Sequence, residues 1–130
     1  MWEIQFDDLI EEKYKNIHLL PSALESQIDE TNEWTYNDIN NGVYKSGFAT
    51  TQEAYEKAVK ILFGSLDRVE KHLEWMEKEG PFYFGKEITE LDIRLFTTIV
   101  RFDVVYVQHF KVSLLSQQFS PHQNMKFFAN

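Results

Sequence analysis

A chain of 130 residues with no cysteine can form neither a disulfide nor a thiolate metal site, and it carries no thiol nucleophile. Its formal net charge of -8 argues against a nucleic-acid surface, which needs clustered Lys and Arg. Length and composition (43% hydrophobic, 26% charged) fit one globular domain, with aromatics high at 15%. Aromatic side chains dominate both cores and the walls of organic-ligand pockets.

The amino terminus is acidic and amphipathic, unlike the basic-then-apolar pattern of a signal peptide, so a soluble cytoplasmic protein is expected. Residues 1–14 predict a short helix with Trp2, Phe6, Leu9 and Ile10 on one face. Pro21 fits the first turn of a second helix, where its missing N–H costs nothing. That helix carries Leu24, Ile28, Trp34 and Ile39, and Asn40-Asn41-Gly42 is expected to end it, since Asn and Gly accept the left-handed conformation. Residues 43–49 then read as a loop presenting Tyr44 and Phe48.

Thr50 and Glu53 form a candidate capping box for the most regular segment of the chain. Tyr55, Val59, Leu62, Leu66, Val69, Leu73 and Met76 recur at three- and four-residue steps, which predicts a long amphipathic helix. Its seam could serve a second subunit, making a homodimer possible, but an intramolecular bundle is the simpler use. Gly80-Pro81 breaks the helix, and the run Phe82-Tyr83-Phe84 leads to the next element.

Residues 85–111 are expected to form a central buried helix. Thr89 and Asp92 make a capping box, with Ile88 placed as a hydrophobic staple. Apolar residues then occupy nearly every side, the pattern of a helix wrapped by others. Asp92, Arg94, Arg101 and Asp103 interrupt it and exclude a membrane span. Together these elements predict an all-α fold.

The chemistry-bearing residues are few. His18, His72, His109 and His122 make no metal-ligand spacing. His72 reads as solvated and His109 as a packed or hydrogen-bonded structural residue. Asp103 beside Arg101 reads as part of an internal polar network. No Gly-rich phosphate loop is present. Two tyrosines stand out: Tyr44 between helices, where rigid elements can hold it at a cleft, and Tyr106 near the end of the apolar helix. A phenol with a pKa near 10 can donate a hydrogen bond to a thiolate or phenolate, or act as a general acid. Periodicity favours packing for Tyr106 and leaves Tyr44 open.

Two stretches, NNGVYKSGFATTQEAYEKAV (40–59) and ITELDIRLFTTIVRFDVVYVQHFK (88–111), closely resemble the C-terminal helical domain of the glutathionyl-hydroquinone reductases. These are also described as xi-class or omega-like glutathione transferases. The resemblance implies a glutathione S-transferase C-terminal-like helical bundle over residues 1–115, followed by a divergent or disordered tail at 116–130. It also implies a parent enzyme with glutathione as co-substrate and a small aromatic, hydroquinone-like second substrate. The nucleophilic cysteine and the glutathione site would lie on a thioredoxin-like domain that this chain does not contain. By the same resemblance Tyr44, in NGVY, exchanges a proton with the substrate, and Tyr106, closing RFDVVY, helps to lower the cysteine pKa. The match departs at 109–113, where relatives read HFKCN and this chain reads HFKVS. With no thiol in the chain, it is expected to be inactive alone; a non-catalytic dimerisation or scaffolding module is the alternative.

Overall fold

The structure, a computed structural model, describes residues 9, 11–110 and 112. A short 3-10 turn, Glu12–Tyr14, leads into four α-helices among the described residues: α1 (Glu25–Thr35), α2 (Gly42–Gly47), α3 (Gln52–Met76) and α4 (Glu90–Ile99). Two wider π-helical segments continue this framework, Tyr36–Asn40 after α1 and Phe102–Val107 after α4. Among the described residues the only β-type pairing is an isolated bridge between Phe82 and Gly85. The expected all-α class is correct.

The long helix forms as its periodicity predicts. Val59, Leu62, Leu66, Val69 and Leu73 are buried along one face of α3, while Tyr55 and Met76 at the ends of the seam are half-buried. Ile39 and Val43 from the preceding segments, Leu91, Leu95 and Ile99 from α4, and Phe102 and Tyr106 beyond it complete one core. The amino cap of α3 lies one residue later than expected. Thr51, not Thr50, adopts the extended cap conformation, and its hydroxyl accepts from the Ala54 N–H at 3.2 Å.

Other boundaries also differ from expectation. Pro21 lies before the second helix: its carbonyl accepts from the Leu24 N–H in a separate turn, and α1 begins at Glu25. Asn40-Asn41-Gly42 does not stop the chain's helical course. Asn41 is right-handed (φ -87°, ψ -21°), and Gly42 opens α2, so Tyr44 stands on a helix instead of a loop. Asn40 spends its side-chain amide across the fold, on the Arg94 carbonyl at 2.9 Å and the Thr98 hydroxyl at 2.6 Å. Gly42 serves close packing, because a Cβ there would meet Leu62 Cδ1 at 3.3 Å. Of the expected amino-terminal helix, Trp2, Phe6 and Ile10 lie outside the described residues, and Leu9 is exposed instead of packed. The 116–130 tail also lies outside them.

The single central helix over 85–111 is replaced by α4, a break at Val100-Arg101 and the second π segment. The break has a local cause. The Arg101 guanidinium takes the Thr97 carbonyl at 2.6 Å, the acceptor that its own backbone N–H would use in a continuing α-helix. That N–H turns to Thr98 at 3.2 Å instead. Neighbouring Thr97, Thr98, Ile99 and Val100 are β-branched and favour the helix weakly. Nor is the segment buried on all sides: Ile93, Phe96, Val100 and Val104 are exposed among the described residues.

The start of α4 matches expectation and exceeds it. Asp92 is buried and completes the capping box with Thr89, accepting at Oδ2 from the Thr89 N–H and hydroxyl, both at 2.8 Å. Its other oxygen accepts from the Tyr83 N–H at 2.8 Å, so one carboxylate joins α4 to the connection before it. Tyr83 in turn stacks on His72 of α3, ring centroids 3.9 Å apart, and its carbonyl bonds His72 Nε2 at 2.8 Å. His72 is therefore a half-buried packing residue, correcting the solvated reading.

Replacing Asp92 with Ala leaves the buried Tyr83 and Thr89 N–H groups without their acceptor. Denaturant unfolding should register a loss of about 2–4 kcal/mol, and Asp92→Asn a smaller one.

Candidate functional site

Tyr44 and Tyr106 are 62 residues apart in sequence, yet their hydroxyl oxygens stand 3.4 Å from each other. Two features place them. Tyr44 projects from α2, whose inner face is fixed by buried Val43 and Ser46, the latter bonding back to the Gly42 carbonyl at 2.9 Å. Tyr106 is held in the second π segment with its ring buried against Phe102. A π-helical turn widens the ladder and re-aims the side chains it carries, and such turns recur at functional sites. A local turn closes this segment, the Val112 N–H donating to the Tyr106 carbonyl at 3.0 Å.

The rings meet edge to face, centroids 5.8 Å apart at 75°, and the two differ in exposure: Tyr106 is 2% exposed and Tyr44 42%. A 3.4 Å separation is long for an O–H···O bond, whose usual length is roughly 2.7–2.8 Å. The phenols therefore do not saturate one another, and both O–H groups could turn toward a single acceptor beside them. Burial pushes the Tyr106 phenol above its ordinary pKa, and the hydrogen bond and charge of Tyr44 push the same way against the opposing influence of Arg101. At neutral pH Tyr106 is a neutral donor and not a base.

Phe48 and Phe110 surround this pair. Phe110 contacts three rings, with centroids 5.8 Å from Tyr44, 5.2 Å from Phe48 and 5.7 Å from Tyr106. Phe48 is 69% exposed and lies nearly parallel to Tyr44, at 6.4 Å and 14°. The result is an aromatic patch, open at Tyr44 and Phe48, that contains two hydroxyls. Phe48 was visible in the sequence as an exposed aromatic; Phe110 was not, because two of its three ring partners, Tyr44 and Phe48, lie more than 60 residues away in sequence. No cluster of His, Asp and Glu among the described residues could hold a metal ion.

The other sequence candidates take no part. His18 and His109 are exposed, and His122 lies outside the described residues. The packed role for His109 is therefore corrected. Asp103 and Arg101 are both exposed, and Arg101 bonds a backbone carbonyl, so the buried polar network expected for them does not form. The reason is the break at Val100-Arg101, which leaves both on the outer side. No helix among the described residues is long and apolar enough to cross a membrane.

The raised Tyr106 pKa has a stability consequence. Below the unfolded value near 10 both states are protonated; above it the unfolded chain releases its proton first, so the fold loses stability as pH rises toward the higher folded value. Tyr83, also raised by burial, acts in the same direction. Alkaline titration of tyrosinate absorbance should show a late-ionising component above pH ~10 that diminishes in Tyr106→Phe.

Comparison with known proteins agrees with this architecture. Residues 52–122 match the family model of the glutathione S-transferase C-terminal domain. The chain is 53% identical over 115 residues to a glutathione S-transferase omega-like 2 of Schizosaccharomyces pombe, covering 88% of this chain and 36% of that protein. It is 55% identical over 91 residues to the glutathionyl-hydroquinone reductase YqjG of Escherichia coli, covering 70% of this chain and 26% of that one. The crystal structure of glutathione transferase Xi 1 from Trametes versicolor superposes with a TM-score of 0.76 at 54% identity, covering 84% of this chain and 36% of that chain. The chain thus spans about a third of the length of the relatives it matches. With more than half of its residues inside the family model and its helices in the same arrangement, the chain belongs to the glutathione S-transferase C-terminal domain family, beside the xi-class and omega-like transferases.

Proposed function

We propose that this chain is the substrate-pocket domain of a glutathione-dependent S-glutathionyl-hydroquinone reductase, with Tyr44 and Tyr106 as its acting side chains. The observation that carries the reading is the phenol pair, one hydroxyl buried and one half-open, at the base of an aromatic patch. In this reaction a cysteine thiolate on a thioredoxin-like domain attacks the thioether sulfur of the substrate. The carbon–sulfur bond breaks, the hydroquinone carbon takes a proton, and the enzyme keeps a mixed disulfide with glutathione. A second glutathione thiolate then attacks that disulfide, releasing glutathione disulfide and restoring the cysteine.

Tyr44, the more exposed phenol, is placed to exchange the proton with the substrate. Tyr106, kept neutral by burial, is suited to donate a hydrogen bond to a thiolate or phenolate, which favours the charged form. The chain has no cysteine, so it supplies the pocket and the donors but not the nucleophile. Glutathione is correspondingly a co-substrate bound by the cysteine-bearing domain.

The purified chain, given glutathione and a glutathionyl-hydroquinone, should release no hydroquinone; robust turnover measured by chromatography would overturn the division of labour. Fused after the thioredoxin-like domain of a relative, the chain should support turnover. There Tyr106→Phe should lower the rate roughly ten- to a hundredfold, the worth of one hydrogen bond to a charged group.

A second reading, a non-catalytic dimerisation or scaffolding module, draws on the exposed stripe Ile93, Phe96, Val100 and Val104. Apolar surface of this kind favours association. On that reading light scattering shows mass rising with concentration, and Val100→Glu suppresses the rise; a monomer at all concentrations removes it.

A further inference from the structure

We infer that Phe110, seated on the bare backbone of Gly47, is the residue that sets which aromatic ring the pocket accepts. This rests on the pocket reading above and adds to it a residue pair outside the two phenols. Gly47 occupies the last position of α2, three residues after Tyr44. It is not there for its backbone freedom, since the glycines with positive φ among the described residues are Gly80 and Gly85. It is there for room. A Cβ at Gly47 would lie 2.6 Å from Phe110 Cγ and 2.7 Å from its Cβ and Cδ2. These atoms are at the root of the side chain, not its flexible tip, so even a methyl group forces the whole Phe110 ring outward.

The ring that would move is the common neighbour of the other three, 5.2–5.8 Å from each. Its position against α2 therefore fixes how deep the patch is beside the phenol hydroxyls. The four side chains carry no formal charge at neutral pH. The faces offered suit an uncharged planar ring, packed offset or edge to face, with a ring hydroxyl or carbonyl directed at Tyr44 and Tyr106. Depth against Gly47 then separates a two-ring ligand, which needs the full floor, from a one-ring ligand, which does not.

The test uses the full chain, with naphthohydroquinone and benzohydroquinone as probes held under reducing conditions, and follows binding by NMR titration. The wild type should bind the two-ring probe more tightly. Gly47→Ala should lower the two-ring to one-ring affinity ratio by roughly tenfold, the usual effect of a carbon's worth of misfit in an apolar pocket. Phe110→Leu should weaken both probes by roughly three- to tenfold through lost ring contact. The double variant should be weaker than Phe110→Leu alone, because leucine keeps the Cβ and Cγ atoms that the added methyl group meets. Wild-type binding with an unchanged ratio in Gly47→Ala and unchanged affinities in Phe110→Leu overturns the role of Phe110 and leaves the phenol pocket standing. No binding of either probe by the wild type overturns the pocket reading and this inference together. Should Gly47→Ala lose its helical circular dichroism, the Phe110→Leu affinities alone decide.

Discussion

The interaction on which the arrangement depends is the Asp92 carboxylate. Its two oxygens serve different parts of the chain: one takes the Thr89 N–H and hydroxyl at the start of α4, the other the Tyr83 N–H in the preceding connection. A buried carboxylate is costly unless its charge is met by donors, and here three meet it. Because Tyr83 also stacks on His72, the same carboxylate fixes α4 against the far end of α3. The turn between them is tight enough that Gly80 has no space for a side chain: a Cβ would lie 2.3 Å from the Gly85 carbonyl carbon. Gly85 itself adopts φ +119°, open to glycine alone at low cost.

From that anchored start, α4 runs ten residues and then gives way at Val100-Arg101. Anchor and break divide the work. The capped half buries Leu91, Leu95 and Ile99 in the core, whereas the half beyond the break turns Tyr106 inward beside α2. A continuous helix would keep the angular spacing of 3.6 residues per turn, and Tyr106 would then follow from Phe102 by that rotation alone. The π segment relaxes this constraint, which is how a residue on an apolar helix comes to face a phenol on another element.

What could be read in the sequence follows the range of the forces involved. The seam of α3 and the cap at Thr89 and Asp92 depend on neighbours within a few residues, and both were legible there. Two of the misread features depend on distant partners. Gly42 resembled a helix stop, but Leu62 on α3 requires its missing side chain, and Asn40 is recruited by Arg94 and Thr98 on α4. The break after Ile99 comes from a guanidinium reaching back to one carbonyl, a choice that hydrophobic periodicity does not encode. Tyr44 and Tyr106 stand out in the sequence as phenols able to donate, but their separate roles come from the family resemblance, since periodicity leaves one open and assigns the other to packing.

Their meeting at 3.4 Å gives those two candidates a common physical basis. A lone buried tyrosine is ordinary core, and a lone exposed one is ordinary surface. A pair that is buried at one end and open at the other, joined by one long hydroxyl contact, keeps hydrogen-bonding capacity to spare, and the proposed role as donors to a reacting acceptor rests on that. The aromatic rings around it add apolar surface without supplying a competing charge. Low polarity strengthens any hydrogen bond formed there, so the gain is largest for an acceptor that acquires negative charge during a reaction, such as a thiolate or a departing phenolate. The chain holds these phenols in place through Val43, Ser46 and Phe102, all of them buried. Preorganisation of this kind is what a pocket wall can contribute when the nucleophile comes from elsewhere.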